Sequence, residues 1–303
     1  MPDMSAQLLL VSKLFLLMGL GILLRRKNVI PESGKALLTD LVIDLILPCS
    51  ILSSFLVDLT AERLRQTAMI FGLSVGVQLV SYFFGLFAYR RCAPEHQTVM
   101  QYATVCSNSG ILGTPIAEGI FGAEGTLLAA VFLIPLRVVM WTLGLSFFTR
   151  ESGRFSLKKI VTHPCIAAVL IGLVFLVTGI RPPALITDTL EAVGGCNTAV
   201  SMLLVGSIVA DMEPRLLLHR DSVYYSVVRL IVLPLLVALA CWALKIDPLV
   251  RNISVLLTAM PAGATTSILA LKYQGDAPFA SACTAVTTVL SLAAVPLWCA
   301  ILM

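Results

Sequence analysis

Charge is what this chain has least of. Only 13% of its 303 residues are Asp, Glu, Lys or Arg, and only 7% are aromatic. A water-soluble domain of this length needs far more charged side chains to cover its surface, so a soluble enzyme or binding module is excluded. Histidine is limited to His96, His163 and His219, with no His-Glu-x-x-His pair. No Gly-x-x-x-x-Gly-Lys-Ser/Thr loop is present, so the chain does not hydrolyse a nucleoside triphosphate by itself. Paired catalytic aspartates and a Gly-x-Ser-x-Gly nucleophile element are also missing, which argues against an intramembrane enzyme. The 8 cysteines include no Cys-x-x-Cys pair. They read as small apolar packing residues, with neither a metal site nor a disulfide framework. No cofactor is expected.

What the chain has is apolar length. It is 58% hydrophobic, with a mean hydropathy of +0.95. Ten apolar segments, near 6–24, 36–57, 67–89, 97–121, 126–148, 160–178, 186–209, 222–244, 250–273 and 277–302, have bilayer-crossing length. The expected class is therefore an all-α polytopic membrane protein with ten transmembrane helices. Its net charge of +4 is not a nucleic-acid signature, because the charges sit in loops and alternate between them. One set of loops carries thirteen basic residues: Arg25, Arg26, Lys27, Lys35, Arg90, Arg91, Arg150, Arg154, Lys158, Lys159, Arg215, Arg220 and Lys272. The other set carries only Arg63, Arg65, Arg181, Lys245 and Arg251. The positive-inside rule puts the richer set in the cytoplasm and both termini outside an inner or plasma membrane. The first span lacks a basic leader, carries Lys13, and precedes Arg25-Arg26-Lys27, so it reads as a retained helix and not a cleaved signal.

The longest connection, Arg150 to Lys159, divides the spans five and five. It suggests a first repeat over 1–148, a cytoplasmic linker over 149–159 and a second repeat over 160–303. Thr39-Asp40 opens the second span, and Thr187-Asp188 opens the seventh, 148 positions on. Asn108 precedes Gly122 by fourteen residues, as Pro261 precedes Gly275, with an offset of 153. Five is odd, so a duplicated half enters the membrane from the opposite face. The two halves would form an inverted repeat in which spans 4 and 9 meet at midplane.

Those two spans carry breaks. Ser107-Asn108-Ser109-Gly110-Ile111-Leu112-Gly113-Thr114-Pro115 interrupts the fourth, and Ala259-Met260-Pro261-Ala262-Gly263-Ala264-Thr265-Thr266-Ser267 interrupts the ninth. Irregular backbone at membrane depth is tolerated only under protein or beside a watery cavity. A broken helix exposes amides where it restarts and carbonyls where it stops, and the amide end suits a carboxylate. Gly110 and Gly113 let the chain turn, and Pro115 fits the first turn of the restart. Asn108 can both donate and accept. Pro261 and Gly263 make the second break, followed by the hydroxyls of Thr265 and Thr266. The plainer alternative is a pair of proline kinks, with glycines for close helix packing. The hydroxyls could equally bond their own backbone.

Five charged residues within or at the ends of spans need a partner or a function. Asp40 and Asp44 lie four apart on the second span, with Pro48 one turn further. Asp44, the deeper, is a candidate for proton or ion coupling, or else a member of a structural ion pair. Glu118, just beyond Pro115, is a second coupling candidate. Arg137 and Arg229 must face an acid, carbonyls, water or an anionic ligand. Pairing of Glu118 with Arg137 is the expected structural arrangement, and direct substrate contact by Arg137 is its alternative. Gln101 and Tyr102 read as packing residues near the path.

Ser107 to Ile116 resembles the Asn-x-Gly-Phe-Leu-Gly-x-Pro segment of the auxin efflux carrier family. Asp44-Leu45-Ile46-Leu47-Pro48 resembles the end of that family's second helix. The run from His163 to Gly172 resembles the start of its second half, and Met260 to Gly263 its ninth-helix break. The resemblance covers the whole chain. It implies ten helices in an inverted repeat, with helices 1, 2, 6 and 7 as scaffold and 3–5 and 8–10 as a transport domain. It further implies binding at the crossover marked by Asn108, Pro115 and Pro261, and an elevator-like motion. A homodimer through the scaffold helices is expected, with lipids and a small anionic substrate as the other partners. The chain departs from the pattern at His163, where Asn is usual, and at Asn197, where many relatives have proline. It also lacks the long cytoplasmic loop of the plant members.

The favoured expectation is a secondary active carrier for a small organic anion, a carboxylate. A cation/proton antiporter of related fold is the near alternative and would lean on Asp44 or Glu118. A non-transporting membrane sensor is the third.

Overall fold

A computed structural model of the chain describes residues 4–58, 60–141, 147–148, 164–211, 219–263 and 265–302. The expected linker at 149–159 and His163 lie outside them. Every regular element among the described residues is helical. Six helical stretches are long and apolar enough to cross a bilayer: Glu32–Phe55, Ala61–Ala88, Ser109–Met140, Ala184–Ala210, Arg220–Ala243 and Ala277–Leu302. Pro164–Thr178 and Pro248–Thr258 are shorter apolar helices. The helix Met4–Arg26 lies where the first span is expected. Large apolar side chains such as Leu16, Leu79, Phe87, Val177 and Leu185 stand exposed. Water would penalise so much bare hydrocarbon, whereas lipid tails solvate it.

Prolines shape three of these stretches in the same way. The wide turns Val42–Ile46, Ser109–Gly113 and Val228–Val232 each end two residues before a proline: Pro48, Pro115 and Pro234. A proline has no N–H and its ring crowds the carbonyl one turn earlier. Opening the turn by one residue relieves both problems. Leu47 N–H accordingly bonds the carbonyl of Val42, five residues back, and Leu233 N–H that of Val228. The second span thus answers Pro48 with a wide turn that holds Asp44, and the eighth answers Pro234 with one that holds Arg229.

The fourth and fifth spans are joined without a loop. Gly122 sits at φ 63°, ψ −149° inside Thr114–Trp141, a conformation open to glycine and strained for other residues. A Cβ on Gly125 would meet the carbonyl of Ala117, eight residues earlier. A straight helix would hold those positions about 12 Å apart, so the chain folds back here. Gly275 lies at the turn between Thr265–Lys272 and Ala277–Leu302, where Gln274 takes the positive φ of 56°.

The residues gather into two compact units. The first comprises Met1–Ala68, Ile111–Val131 and Val161–Met212. Its helices meet through glycines. A Cβ on Gly206 would strike the carbonyl of Met18, and one on Gly21 that of Leu203. Gly172 admits the Phe55 ring, and Gly194 lies against the backbone of Ser50. Small residues let backbones approach closely where burial supplies no driving force. At one end of this unit, Arg25 bonds Asp211 (2.7 Å) and Glu32 (3.0 Å), and Lys35 also reaches Asp211. At another, Arg181 bonds Asp58 (2.7 Å) and the Leu56 carbonyl, and Arg63 bonds Glu124 (3.2 Å). Arg25 and Lys35 belong to the richer basic set, and Arg63 and Arg181 to the poorer.

The second unit comprises Met69–Gly110, Phe132–Ile160 and Glu213–Met303. Its core includes Tyr89, Met100, Tyr225, Leu233, Phe279 and Cys283. A satellite cluster places Tyr102 with Val105, Cys106 and Leu269. Tyr102 is fully buried against Phe148, so packing describes its place.

Candidate functional site

Residues 107–110 of the first expected break and the whole of the second lie within the second unit, and they lie on each other. Helix Pro94–Val105 stops at Cys106, whose φ of −117° is extended. Helix Pro248–Thr258 stops at Ala259. The strands of backbone beyond them pair. Asn108 N–H donates to the Pro261 carbonyl (2.8 Å), and Gly263 N–H donates to the Cys106 carbonyl (3.2 Å), which makes an antiparallel bridge between Ser107 and Ala262. Ala262 N–H between them donates to Thr287 Oγ1 (3.1 Å). A Cβ on Gly263 would stand 3.3 Å from the Cys106 carbonyl oxygen, so the close approach favours glycine.

Arg229 closes this arrangement from one side. Its Nε donates to the Met260 carbonyl and its Nη1 to the Thr104 carbonyl, each at 2.8 Å, with only 3% of the residue exposed. These two carbonyls lie at the ends of the two interrupted half-helices. One guanidinium therefore caps both negative dipole ends and satisfies carbonyls that the breaks orphan. Of the partners open to Arg229 in the sequence, backbone carbonyls are the ones it takes.

Ser109 is fully buried, and its hydroxyl donates to the Leu257 carbonyl (2.7 Å) while sharing a 2.6 Å bond with Ser107. Thr266 N–H donates to the Gly263 carbonyl, but its buried Oγ1 has no partner among the described residues. The side-chain amide of Asn108 is half-buried and makes no hydrogen bond among the described residues. Several amides of the breaks are therefore spent on the cross-pairing. The positive potential on offer comes from elsewhere, namely Arg137.

Arg137 is 6% exposed, and among the described residues it forms no ion pair and its Nη1 has no partner. Its Nη2 would lie 3.8 Å from a Cβ built on Gly110, so the guanidinium borders the first break. Its expected partner, Glu118, has other partners within its own unit. Glu118 belongs to the first unit and accepts from Asn197 Nδ2 (2.9 Å) and Thr198 Oγ1 (3.4 Å). A short carboxamide held by the kinked seventh span satisfies the acid without a full charge. Asn197, noticed in the sequence only as a departure from proline, is thus the residue that anchors Glu118. Gly113 and Pro115 also belong to the first unit, where Pro115 stands buried in the first turn of Thr114–Trp141.

Asp44 requires a second correction. It is exposed, as is Asp40, and neither forms an ion pair among the described residues. The wide turn at Val42–Ile46 buries Val42 and Ile46 and leaves Asp44 on the outer side.

Comparison with known proteins agrees with this class. The family described as Membrane transport protein matches residues 8–155 and 146–299. An uncharacterized transporter of Methanothermobacter thermautotrophicus is 30% identical over 303 residues, covering 96% of this chain and 97% of the relative. An uncharacterized transporter of Methanocaldococcus jannaschii is 22% identical over 284 residues, covering 89% of this chain and 91% of that protein. Both are similar along nearly their whole length. The chain is accordingly a multi-pass membrane protein and a transporter, not an enzyme, and it belongs to the membrane transport protein family, that of the auxin efflux carriers.

Proposed function

We propose that this transporter is a secondary carrier for a small organic anion, a carboxylate, bound where the broken fourth and ninth spans cross. The observation that carries this reading is Arg137. A buried guanidinium with an unpartnered Nη1 costs several kcal/mol unless something negative meets it. The crossing also carries the amide of Asn108 and the hydroxyl of Thr266, which have no hydrogen-bond partner among the described residues and suit carboxylate oxygens. Ser109, Gly110, Pro261, Gly263 and Thr265 hold the backbone there, and Gly113 and Pro115 begin the restarted helix. Arg229 shapes the crossing and is already satisfied.

The reading includes alternating access by an elevator-type movement, with spans 1, 2, 6 and 7 as scaffold and spans 3–5 and 8–10 as the moving part. The assignment of spans 1, 2, 6 and 7 to the first unit supports this, while Ile111–Val131 departs from it. Inverted repeats, external termini and a homodimer through the scaffold belong to the same proposal. Cation/proton exchange is a second reading favoured by one observation: Glu118 is a half-buried acid within a span, met by Asn197 and Thr198 and by no ion-pair partner among the described residues.

The test is uptake by purified protein in liposomes. Saturable uptake of a mono- or dicarboxylate is expected. Arg137→Gln should raise its KM about 10- to 150-fold, the worth of a charge-assisted contact of roughly 1.5–3 kcal/mol. Its folded stability should stay level or rise, because an unmatched buried charge is gone. Undiminished uptake by Arg137→Gln and by Asn108→Ala/Pro261→Ala would remove the crossing from the mechanism. Proton flux that needs sodium and no organic anion would favour the exchanger.

A further inference from the structure

We infer that one end of the second unit holds a transition-metal site built from His96, His219 and Asp221. His96 lies far in the chain from His219 and Asp221. His96 is in the first turn of Pro94–Val105, Asp221 is in the first turn of Arg220–Val227, and His219 caps that helix. One ligand atom from each lies within 4.8 Å of the others. The side chains of His96 and Asp221 are 13% and 19% exposed, whereas His219 is exposed and leaves a way in.

The surroundings match what a metal-binding histidine needs. His96 Nδ1 lies 2.7 Å from Asp221 Oδ2, and its Nε2 lies 3.5 Å from Asp276 Oδ2. A ligating histidine characteristically donates its second ring N–H to a carboxylate, which fixes tautomer and orientation. Asp276 stands near that position, beyond hydrogen-bond length in the metal-free protein, and is itself held, because its Oδ1 accepts the Phe279 N–H (2.9 Å). The Phe279 ring stacks on His96 at 3.7 Å and 16°, and His219 meets His96 edge-on at 4.9 Å. Nδ1 of His96 can therefore turn from its hydrogen bond to a shared metal while the ring stays in place. His219 Nδ1 presents a lone pair, accepting only a long 3.3 Å bond from Asp221 N–H.

Two imidazoles and one carboxylate select a borderline cation such as Zn2+, Co2+ or Ni2+. Mg2+ and Ca2+ prefer oxygen alone. Water would complete the coordination. Metal bound here ties the start of Pro94–Val105 to the start of Arg220–Val227. Further along, Arg229 in the wide turn that follows Arg220–Val227 also bonds the Thr104 carbonyl of Pro94–Val105. Occupancy therefore clamps a frame that Arg229 already closes, and it does so whatever the transported substrate is.

The experiment uses full-length protein purified in detergent, stripped with EDTA, and titrated with ZnCl2 by calorimetry and thermal melting. Uptake of a single zinc ion per chain and a raised melting temperature are expected. His96→Ala and His219→Ala should each weaken uptake by at least about tenfold. His163→Ala, which removes the remaining histidine of the chain, should leave it unchanged. Melting of each variant without metal establishes that it is folded. No zinc uptake by the parent, uptake indifferent to His96 and His219, or uptake abolished by His163→Ala would each overturn the site.

Discussion

Replacing Arg229 with methionine keeps most of the side-chain length and removes every donor. In the folded protein the Thr104 and Met260 carbonyls then lose their 2.8 Å partners in a place that water does not reach. A buried acceptor left without a bond costs about 1–3 kcal/mol. Hydrogen bonds between membrane helices measure lower on average, near 0.6 kcal/mol and rarely above about 2. A loss of roughly 2–4 kcal/mol is therefore expected for the pair. At about 2 °C per kcal/mol for a chain of this size, the melting temperature in detergent should fall about 4–8 °C. Arg229→Lys retains the charge but not the fork, reaches one carbonyl, and should lose about half as much. Hydrogen exchange gives a local readout. The amides of Asn108 and Gly263, bonded to Pro261 and Cys106, should exchange faster in the methionine variant than amides in the Met4–Arg26 helix. If Arg229→Met melts within about 1 °C of the parent and exchange at the crossing is unaltered, the double cap contributes nothing and the reasoning fails.

Three further outcomes can be checked. Burial pushes the Asp211 carboxyl up, but hydrogen bonds from Lys35 and Arg25 outweigh it, so the group lies below its ordinary value. Its stabilisation is present above the unfolded carboxylate pKa of about 3.9 and is lost as pH falls through the lower folded value. Asp211→Asn should therefore melt earlier than the parent at pH 7 and coincide with it in strong acid. The gap should be modest because exposed pairs contribute about 0.2–1 kcal/mol each. Gly206→Ala would put a methyl into the Met18 carbonyl and 3.0 Å from Gly21 Cα, whereas Gly19 has nothing within 4 Å. The first variant should lose about 1–3 kcal/mol and the second almost nothing; equal melting would show that this close contact can relax. Asn197→Ala removes the 2.9 Å bond to Glu118 and should cost about 1–3 kcal/mol, recovered in part by adding Glu118→Gln. A double-mutant cycle with no coupling would mean the two side chains do not depend on each other.

The features legible in the sequence are those whose physics is local. Pro48, Pro115 and Pro261 disturb a helix wherever they fall, because each lacks an N–H. Gly110, Gly113 and Gly263 permit turns for reasons that need no neighbour. The scarcity of charge announced a lipid solvent. Arg137 and Arg229 were visible as misfits in apolar runs. Their partners were not, because a guanidinium accepts any carbonyl and every residue carries one. Glu118 illustrates the same limit. A nearby arginine was the obvious partner, yet Asn197, 79 positions away, holds it.

The amino-acid sequence by itself determined that this protein lives in a bilayer, that its chain is helical, and that two of its spans are interrupted. These follow from composition and from the covalent peculiarities of proline and glycine. Only the tertiary structure decided that the interruptions pair with each other and that one arginine caps both. It also decided that another arginine is left unmatched, that Asp44 faces outward, and that His96, His219 and Asp221 converge. Those outcomes depend on which distant groups share a small volume, and a hydrogen bond or a buried charge takes its energy from neighbours in space.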